Sequence, residues 1–291
     1  MAPAFSTYTK TFHTDVYPGI HASRPELSQK GKRVVITGAA VGIGAATAEA
    51  FAIAGASEVV ILGRTQATLD ATKNAIEAKH KGSKVTAVVV DISSLTSTAD
   101  AFDNISKDGP IDVFINNAAY LANLGPIAAA DVEDWWKSIE VNVKGALHVL
   151  QSVLKNISKH GVIINVSSGV THAHYIPDFS SYAVGKAGAA RLFEYVQNEN
   201  PDLRVFNLHP GVILSTGLAS KGVEQSGAAI EHSDTLELPG NLMVWLSSPE
   251  AVFLKGRFLW ANWDVEELKQ RSKEFQENPL LLTLGLTGWP Q

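Results

Sequence analysis

The chain of 291 residues contains no cysteine. That absence excludes a disulfide scaffold, a zinc–thiolate site and a thiol nucleophile, and it fits a reducing compartment. Charge is sparse as well: 18% of residues are Asp, Glu, Lys or Arg, with a formal net charge of −5. Such a chain offers no global attraction to nucleic acid or to an anionic membrane, so neither is expected as a partner. Long apolar runs are missing. The nearest, Pro279-Leu-Leu-Leu-Thr-Leu-Gly-Leu286, carries a glycine and falls far short of the roughly 20 residues a spanning helix needs. Met1 to Gln29 contains Pro3, Asp15, Pro18 and Arg24 but no sustained apolar stretch, so no secretory signal is expected. The expectation is a soluble, cytoplasmic protein. What is plentiful is apolar: 45% hydrophobic residues suit a sizeable core and argue against long disorder.

Residues 1–30 read as an irregular arm that Phe5, Tyr8, Phe12 and Tyr17 could pin to the surface. Regularity begins after it. Apolar runs at Arg33–Thr37, Glu58–Leu62, Lys84–Val90, Ile111–Ile115, Val162–Val166 and Leu203–Leu208 predict strands. Between them, Gly42–Gly55, Gln66–Lys79, Thr96–Ser106, Val132–Asn156 and Ser181–Asn198 predict helices. Continuous apolar strands alternating with helices imply right-handed crossovers and a sheet covered on both faces. The fold class is therefore α/β, a single doubly wound, Rossmann-type domain over 31–262 with a mainly parallel sheet. Within it, 212–240 reads as a substrate flap, and Arg257–Trp260 as a last strand. Residues 263–291 form a C-terminal extension, helical over Val265–Gln276 and apolar enough beyond, with Trp289, to require burial.

Thr37-Gly-Ala-Ala-Val-Gly-Ile-Gly44 follows the first strand and opens the first helix. A phosphate at a helix N-terminus needs free backbone N–H groups, and Gly38, Gly42 and Gly44 clear its approach. An acidic residue about 20 positions on would grip the ribose of NAD. Arg64 stands there instead, in Leu62-Gly63-Arg64-Thr65. A planar guanidinium suits a 2′-phosphate, which favours NADP(H) over NAD(H).

With these residues in place the chain resembles the classical short-chain dehydrogenases/reductases. Asn116-Asn-Ala-Ala119 is similar to their segment after the fourth strand, and Ile164-Asn-Val-Ser-Ser168 to their serine strand. Tyr182-Ala-Val-Gly-Lys186 matches their Tyr-x-x-x-Lys, and Pro210-Gly-Val-Ile-Leu-Ser-Thr216 their segment beside the nicotinamide. The resemblance implies Ser168, Tyr182, Lys186 and Asn142 as the catalytic set. It implies cofactor contacts from Val41, Ile43, Asp91, Ile92, Asn117 and Ala118, and from Pro210, Gly211, Val212 and Thr216, besides Tyr182 and Lys186. It also implies a homodimer or homotetramer. Ala119 departs from the family's glycine, and a longer interval from Ser168 to Tyr182 keeps Ser167 a second candidate.

The chemistry suits the residues. Tyr182 and Lys186 are four apart and share a helix face. A nearby ammonium is expected to lower the phenol's pKa, so that Tyr182 donates a proton to a carbonyl oxygen while hydride reaches the carbon. Ser168 would stabilise the same oxygen. His172 and His174 read as loop residues, since no third metal ligand lies near; Asp131, Glu133 and Asp134 read as charge at a helix start, and Trp135 and Trp136 as packing. No metal is expected. The flap's sparse charge favours a small apolar or aromatic carbonyl substrate. The leading expectation is an NADP(H)-dependent carbonyl reductase. An isomerase, dehydratase or cyclase on the same scaffold, and a non-catalytic NADP-binding sensor, are the alternatives.

Overall fold

A computed structural model describes residues 7–173, 175–227 and 232–286. Seven strands form one sheet in the order β3-β2-β1-β4-β5-β6-β7, and every pairing is parallel. They are β1 Arg33–Thr37, β2 Glu58–Gly63, β3 Val85–Val89, β4 Ile111–Asn116, β5 Ile157–Val166, β6 Arg204–His209 and β7 Phe258–Trp260. Alternate residues feed two cores. Val34 and Ile36 pack with Phe51, Leu242 and Trp245 on one face, while Val35 packs with Phe102, Val149 and Phe193 on the other. This is the doubly wound Rossmann-type fold expected of the α/β alternation. The chain leaves β1 towards β3 and returns to β4, so the strand order reverses between β1 and β4. Open sheets of this kind bind ligands above the carboxyl ends of their strands at that reversal.

Helices α1 Gly42–Ile53, α2 Gln66–Lys79, α3 Leu95–Ser106 and α6 Ser180–Glu199 fall where the pattern put them. The long helix after β4 does not run uniformly. It begins as α4 Val132–Ile139, widens into a π-helical segment over Glu140–Gly145, and resumes as α5 Ala146–Asn156. β5 also starts five residues earlier than expected, because the polar Ser158-Lys-His160 and Gly161 interrupt its apolar pattern at the exposed end.

The segment read as a flap contains α7 Gly217–Ser226, and its last residues begin α8 Glu237–Ser247, a helix buried along nearly its whole length. Pro239 and Gly240 hid it from sequence. The proline sits in the first turn, where its missing N–H is harmless. The glycine lets α8 approach α1 so closely that a Cβ there would lie 3.1 Å from the Ala46 carbonyl oxygen. The C-terminal helix is likewise split, at Arg271, into α9 Val265–Gln270 and α10 Ser272–Glu277.

The N-terminal arm is tied down rather than draped. Tyr17 Oη donates to the Trp263 carbonyl at 3.0 Å and accepts from Val265 N, and Tyr8 packs 5.3 Å from the Trp263 ring. His13 N donates to the Asn262 carbonyl at 2.8 Å. Phe5 and Trp289 lie outside the described residues. The C-terminal tail closes the open edge of the sheet: Phe258 N, on β7, donates to the Leu282 carbonyl at 2.7 Å. Leu284 N reaches Glu194 on α6 at 2.8 Å, and the buried Arg257 guanidinium donates to the carbonyls of Phe275 and Pro279. The tail therefore packs on its own subunit, and none of its described residues lines the main cavity. Deleting residues 279–291 should lower stability by about 2 kcal/mol, because Phe258 N loses the Leu282 carbonyl and Arg257 loses the Pro279 carbonyl. Thermal melts with and without the tail check this; equal melting temperatures would overturn it.

Candidate active site

A cleft of about 1450 Å³ opens along the carboxyl ends of the strands. Its first wall is the glycine turn between β1 and α1. Gly38 and Gly42 have φ of +64° and +59°, which favours glycine. The three glycines differ in what they make room for. A Cβ on Gly44 would lie 2.4 Å from the Gly38 carbonyl oxygen, and one on Gly38 would lie 2.8 Å from Ala118 Cα. Only Gly42 faces open space, its nearest neighbour being the Thr216 methyl at 3.5 Å. Gly44 does not line the cleft; it is a packing residue, contrary to the expectation that it clears the phosphate's approach. The N-terminus of α1 carries no side-chain cap, so its first N–H groups face the cleft. A cradle of this kind fits a dinucleotide's diphosphate.

The turn is held from β4. Asn117 Nδ2 donates to the carbonyls of Thr37 and Gly38 at 3.0 and 2.9 Å, and its backbone N donates to Thr37 Oγ1. The asparagine thus shapes the cradle with its amide. Val41, Ile43, Ile92 and Ala118 line the cleft around it, as do Pro210, Gly211, Val212 and Thr216 from the loop after β6. Gly211 has φ +96° and cannot carry a Cβ, because Asp234 packs against it and accepts from Val212 N at 2.6 Å.

Beyond the turn, Ser93 donates to Asp91 from its hydroxyl at 2.7 Å and from its backbone N at 3.0 Å, holding that carboxyl below its usual range. Arg64 is exposed at the mouth of the cleft and makes no hydrogen bond or ion pair among the described residues. Its donors are available to an anion. Thr65, which the sequence reading passed over, stands beside it at the N-cap of α2 and lines the same mouth. The residues present therefore fit a phosphorylated dinucleotide.

The second half of the site gathers at α6. Tyr182 and Lys186 are both buried, and the Ser168 hydroxyl stands close enough to the Tyr182 phenol to favour its charged form. Ser167 is also buried, but its Oγ finds no partner among the described residues, so the serine that engages the tyrosine is Ser168. Lys186 Nζ donates to the Val166 carbonyl at 2.8 Å and lies 5.7 Å from the Tyr182 ring centre. Burial pushes the ammonium down to about 8 and pushes the phenol above its usual value, the nearby Ser168 hydroxyl notwithstanding. The expected lowering of Tyr182 by its neighbour is thus outweighed within the protein alone, because desolvation disfavours both charged forms.

Asn142 does not line the cleft. It sits in the π-helical segment, where its Oδ1 accepts from Tyr120 N at 2.9 Å and its Nδ2 donates to the Tyr120 carbonyl at 2.8 Å. It is a positioning residue that ties the exit of β4 to α6. Asp134, read as helix-dipole charge, also accepts from Tyr120 Oη at 2.5 Å and from Asn123 N at 2.7 Å. His172 is an exposed loop residue that packs edge-on to Phe258 and accepts from Trp260 Nε1 at 3.1 Å. His174 lies outside the described residues. Sequence reading missed Phe12, Ile176, Phe179, His209 and Trp260, all of which line the cleft. They come from separate segments and share no local pattern.

Comparison with known proteins gives one answer. The family model for short chain dehydrogenase matches residues 32–226. The short chain dehydrogenase citE of Monascus ruber is 34% identical over 287 residues, covering 95% of each chain. The short chain dehydrogenase/reductase nsrO of Aspergillus novofumigatus is 32% identical over 96% of each. A short-chain type dehydrogenase/reductase of known structure from Mycobacterium ulcerans superposes with a TM-score of 0.70 at 25% identity, over 80% of this chain and 89% of that one.

Lys186 yields a test of stability. Its pKa is about 8 folded and about 10.4 in an unfolded chain. The unfolded state therefore binds more protons between these values, so burying the ammonium costs most below pH 8 and nothing above about pH 10.4. Lys186→Met should gain on the native protein at neutral pH, and that margin should shrink as pH rises through the window. Melting curves of both proteins from pH 7 to 10.5 check this; a margin that grows with pH would refute the burial cost.

Proposed function

Because the chain belongs to the short-chain dehydrogenase/reductase family and is an oxidoreductase of that family, we propose that it is an NADPH-dependent carbonyl reductase. The observation that carries this reading is the grouping of Ser168 and Tyr182 at the cleft wall, with the Lys186 ammonium buried behind them. When bound, the nicotinamide supplies the hydride. The protein's own residues handle the oxygen. Ser168 and Tyr182 hydrogen-bond the substrate carbonyl, polarising it and fixing which face is presented. As the carbon accepts hydride, Tyr182 Oη gives up its proton to the oxygen, and the ketone or aldehyde leaves as an alcohol. Burial keeps Tyr182 protonated beforehand, which suits an acid. The Lys186 charge favours the phenolate that forms.

Arg64 and Thr65 supply the preference for the 2′-phosphate of NADP. The substrate wall is apolar where Ile176, Phe179, Val212 and Leu218 face the cleft, which favours a small apolar or aromatic carbonyl compound. Trp136, Leu147, Val184 and Tyr195 are exposed on α4, α5 and α6, and this apolar surface supports a homodimer or homotetramer. Among the described residues no helix is long and apolar enough to cross a membrane.

Tyr182→Phe should lower kcat by about a thousandfold or more while NADPH binding holds within about twofold. Ser168→Ala should cost about a hundredfold in kcat; a larger loss from Ser167→Ala would move the role to that residue. Loss of NADPH absorbance against a panel of ketones reads both. Turnover of a carbonyl substrate without net NADPH consumption would instead favour an isomerase-type reaction. Arg64→Ala should weaken NADPH by about 10- to 100-fold and NADH hardly at all. Equal losses for the two cofactors would refute the phosphate contact.

A further inference from the structure

Beyond Ser168, the cleft continues to a polar end built by strand register. Val166 pairs with Leu208 and His209 with Trp260, so Ser167, His209 and Trp260 stand at neighbouring strand ends, and all three line the cleft. His209 is only 7% exposed. The backbone N–H of Gly169 donates to His209 Nδ1 at 3.0 Å. That nitrogen must therefore be the bare one, and the neutral ring carries its proton on Nε2. Burial, reinforced by His172, pushes His209 down to about 3, so the ring stays neutral at ordinary pH. Nε2 has no hydrogen-bond partner among the described residues, and Ser167 Oγ, 2% exposed, has none either. A buried hydroxyl without a partner is costly. Ser167 Oγ, next to an unpaired ring N–H that lines the cleft, marks a place for an oxygen.

We propose that His209 Nε2–H and Ser167 Oγ form a subsite for a second oxygen of the substrate, next to the carbonyl that Tyr182 protonates. The proposal rests on the carbonyl-reductase reading and deepens it. Neighbouring strands lie about 4.8 Å apart, so the two oxygens are close together on the substrate. The fitting chemistry is a 1,2- or 1,3-dioxygenated carbonyl compound: a diketone, hydroxyketone or ortho-quinone. Trp260 gives it a flat wall. Its indole is held by the Nε1 hydrogen bond to His172 and by edge contact with His209, 4.4 Å between centres. His209 is here a specificity residue, since the proton and hydride chemistry stays at Tyr182.

The test uses 1-phenyl-1,2-propanedione and propiophenone, which differ by the second oxygen, titrated calorimetrically into the full-length protein loaded with NADP⁺. The native protein should bind the dione about tenfold more tightly than the monoketone. His209→Asn keeps an acceptor for Gly169 N but has no group at Nε2, so that ratio should collapse to near one. His209→Gln restores a donor near the Nε2 position and should recover part of it. Ser167→Ala, a smaller change, should reduce the ratio severalfold. An absent preference in the native protein, equal weakening of both probes in His209→Asn, or weakened NADP⁺ binding in that variant would each overturn the subsite. The titration needs no turnover, so a subsite that fails here is distinguishable from a failed reductase assignment, which NADPH oxidation reads separately.

Discussion

A lysine ammonium held inside the protein sets the terms for the rest of this structure. Burial disfavours its charge, and a single carbonyl, that of Val166 at 2.8 Å, faces it among the described residues. One such contact does not offset the desolvation of an ion. The surroundings must therefore fix the side chain by geometry, and the helix that carries it must be seated firmly. Asn207 on β6 does this, donating to the Ala190 carbonyl one turn after Lys186 at 3.1 Å. Asn207 in turn accepts from Asn165, and Asn165 accepts from Asn116, at 2.8 and 2.9 Å. Three buried amides at one register level thus run across β4, β5 and β6 and end on α6. Such a chain is favourable only while its members stay paired. Its consequence is lateral alignment: β4, β5 and β6 end level with one another, which brings Asn117, Ser168 and His209 to a common rim.

The π-helical segment serves the same end from the opposite side. Widening the helix at Glu140–Gly145 places the Asn142 amide where it can pair with both backbone groups of Tyr120. Gly185, in the turn of α6 between Tyr182 and Lys186, packs directly on that amide; a Cβ there would lie 3.1 Å from Asn142 Nδ2. The exit of β4, the π segment and the catalytic helix are thereby locked together. A π-bulge of this kind at a functional site is a common use of an otherwise unfavourable helix geometry.

How much of this was legible beforehand depends on whether the determinant is local. The glycine turn, the Tyr-x-x-x-Lys pair and the strand–helix alternation are contiguous, and backbone conformation or periodicity writes them directly into the residue order. The reason for each glycine was not legible: a Cβ on Gly38 would meet Ala118, 80 positions away, and one on Gly44 would meet the Gly38 carbonyl oxygen and the Asn117 amide. α8 was obscured because Pro239 and Gly240 read as breakers, yet one occupies a tolerant first turn and the other lets a helix approach. The direction of the Tyr182 shift was misjudged for a similar reason. Charge neighbours can be counted in a sequence, while burial, which dominates here, exists only after folding.

The two ends of the cleft differ in the same respect, and the difference bears on function. One end of the cleft is drawn mainly from the loops that follow β1 to β4, near the glycine turn. The other end takes Phe12 from the arm, Phe179 from the loop before α6, His209 from β6 and Trp260 from the outermost strand. No periodicity joins these positions; sheet register and the arm's bonds to Asn262 and Val265 do. Phe12 and Trp260 also lie outside residues 32–226, the part that matches the family model. The segment that matches the family model therefore builds the glycine cradle and carries Ser168, Tyr182 and Lys186. Part of the cleft wall comes from segments on either side of it. In physical terms, the cradle and the Tyr-x-x-x-Lys pair are set by local backbone geometry, and the far wall by which distant segments the sheet brings to one rim.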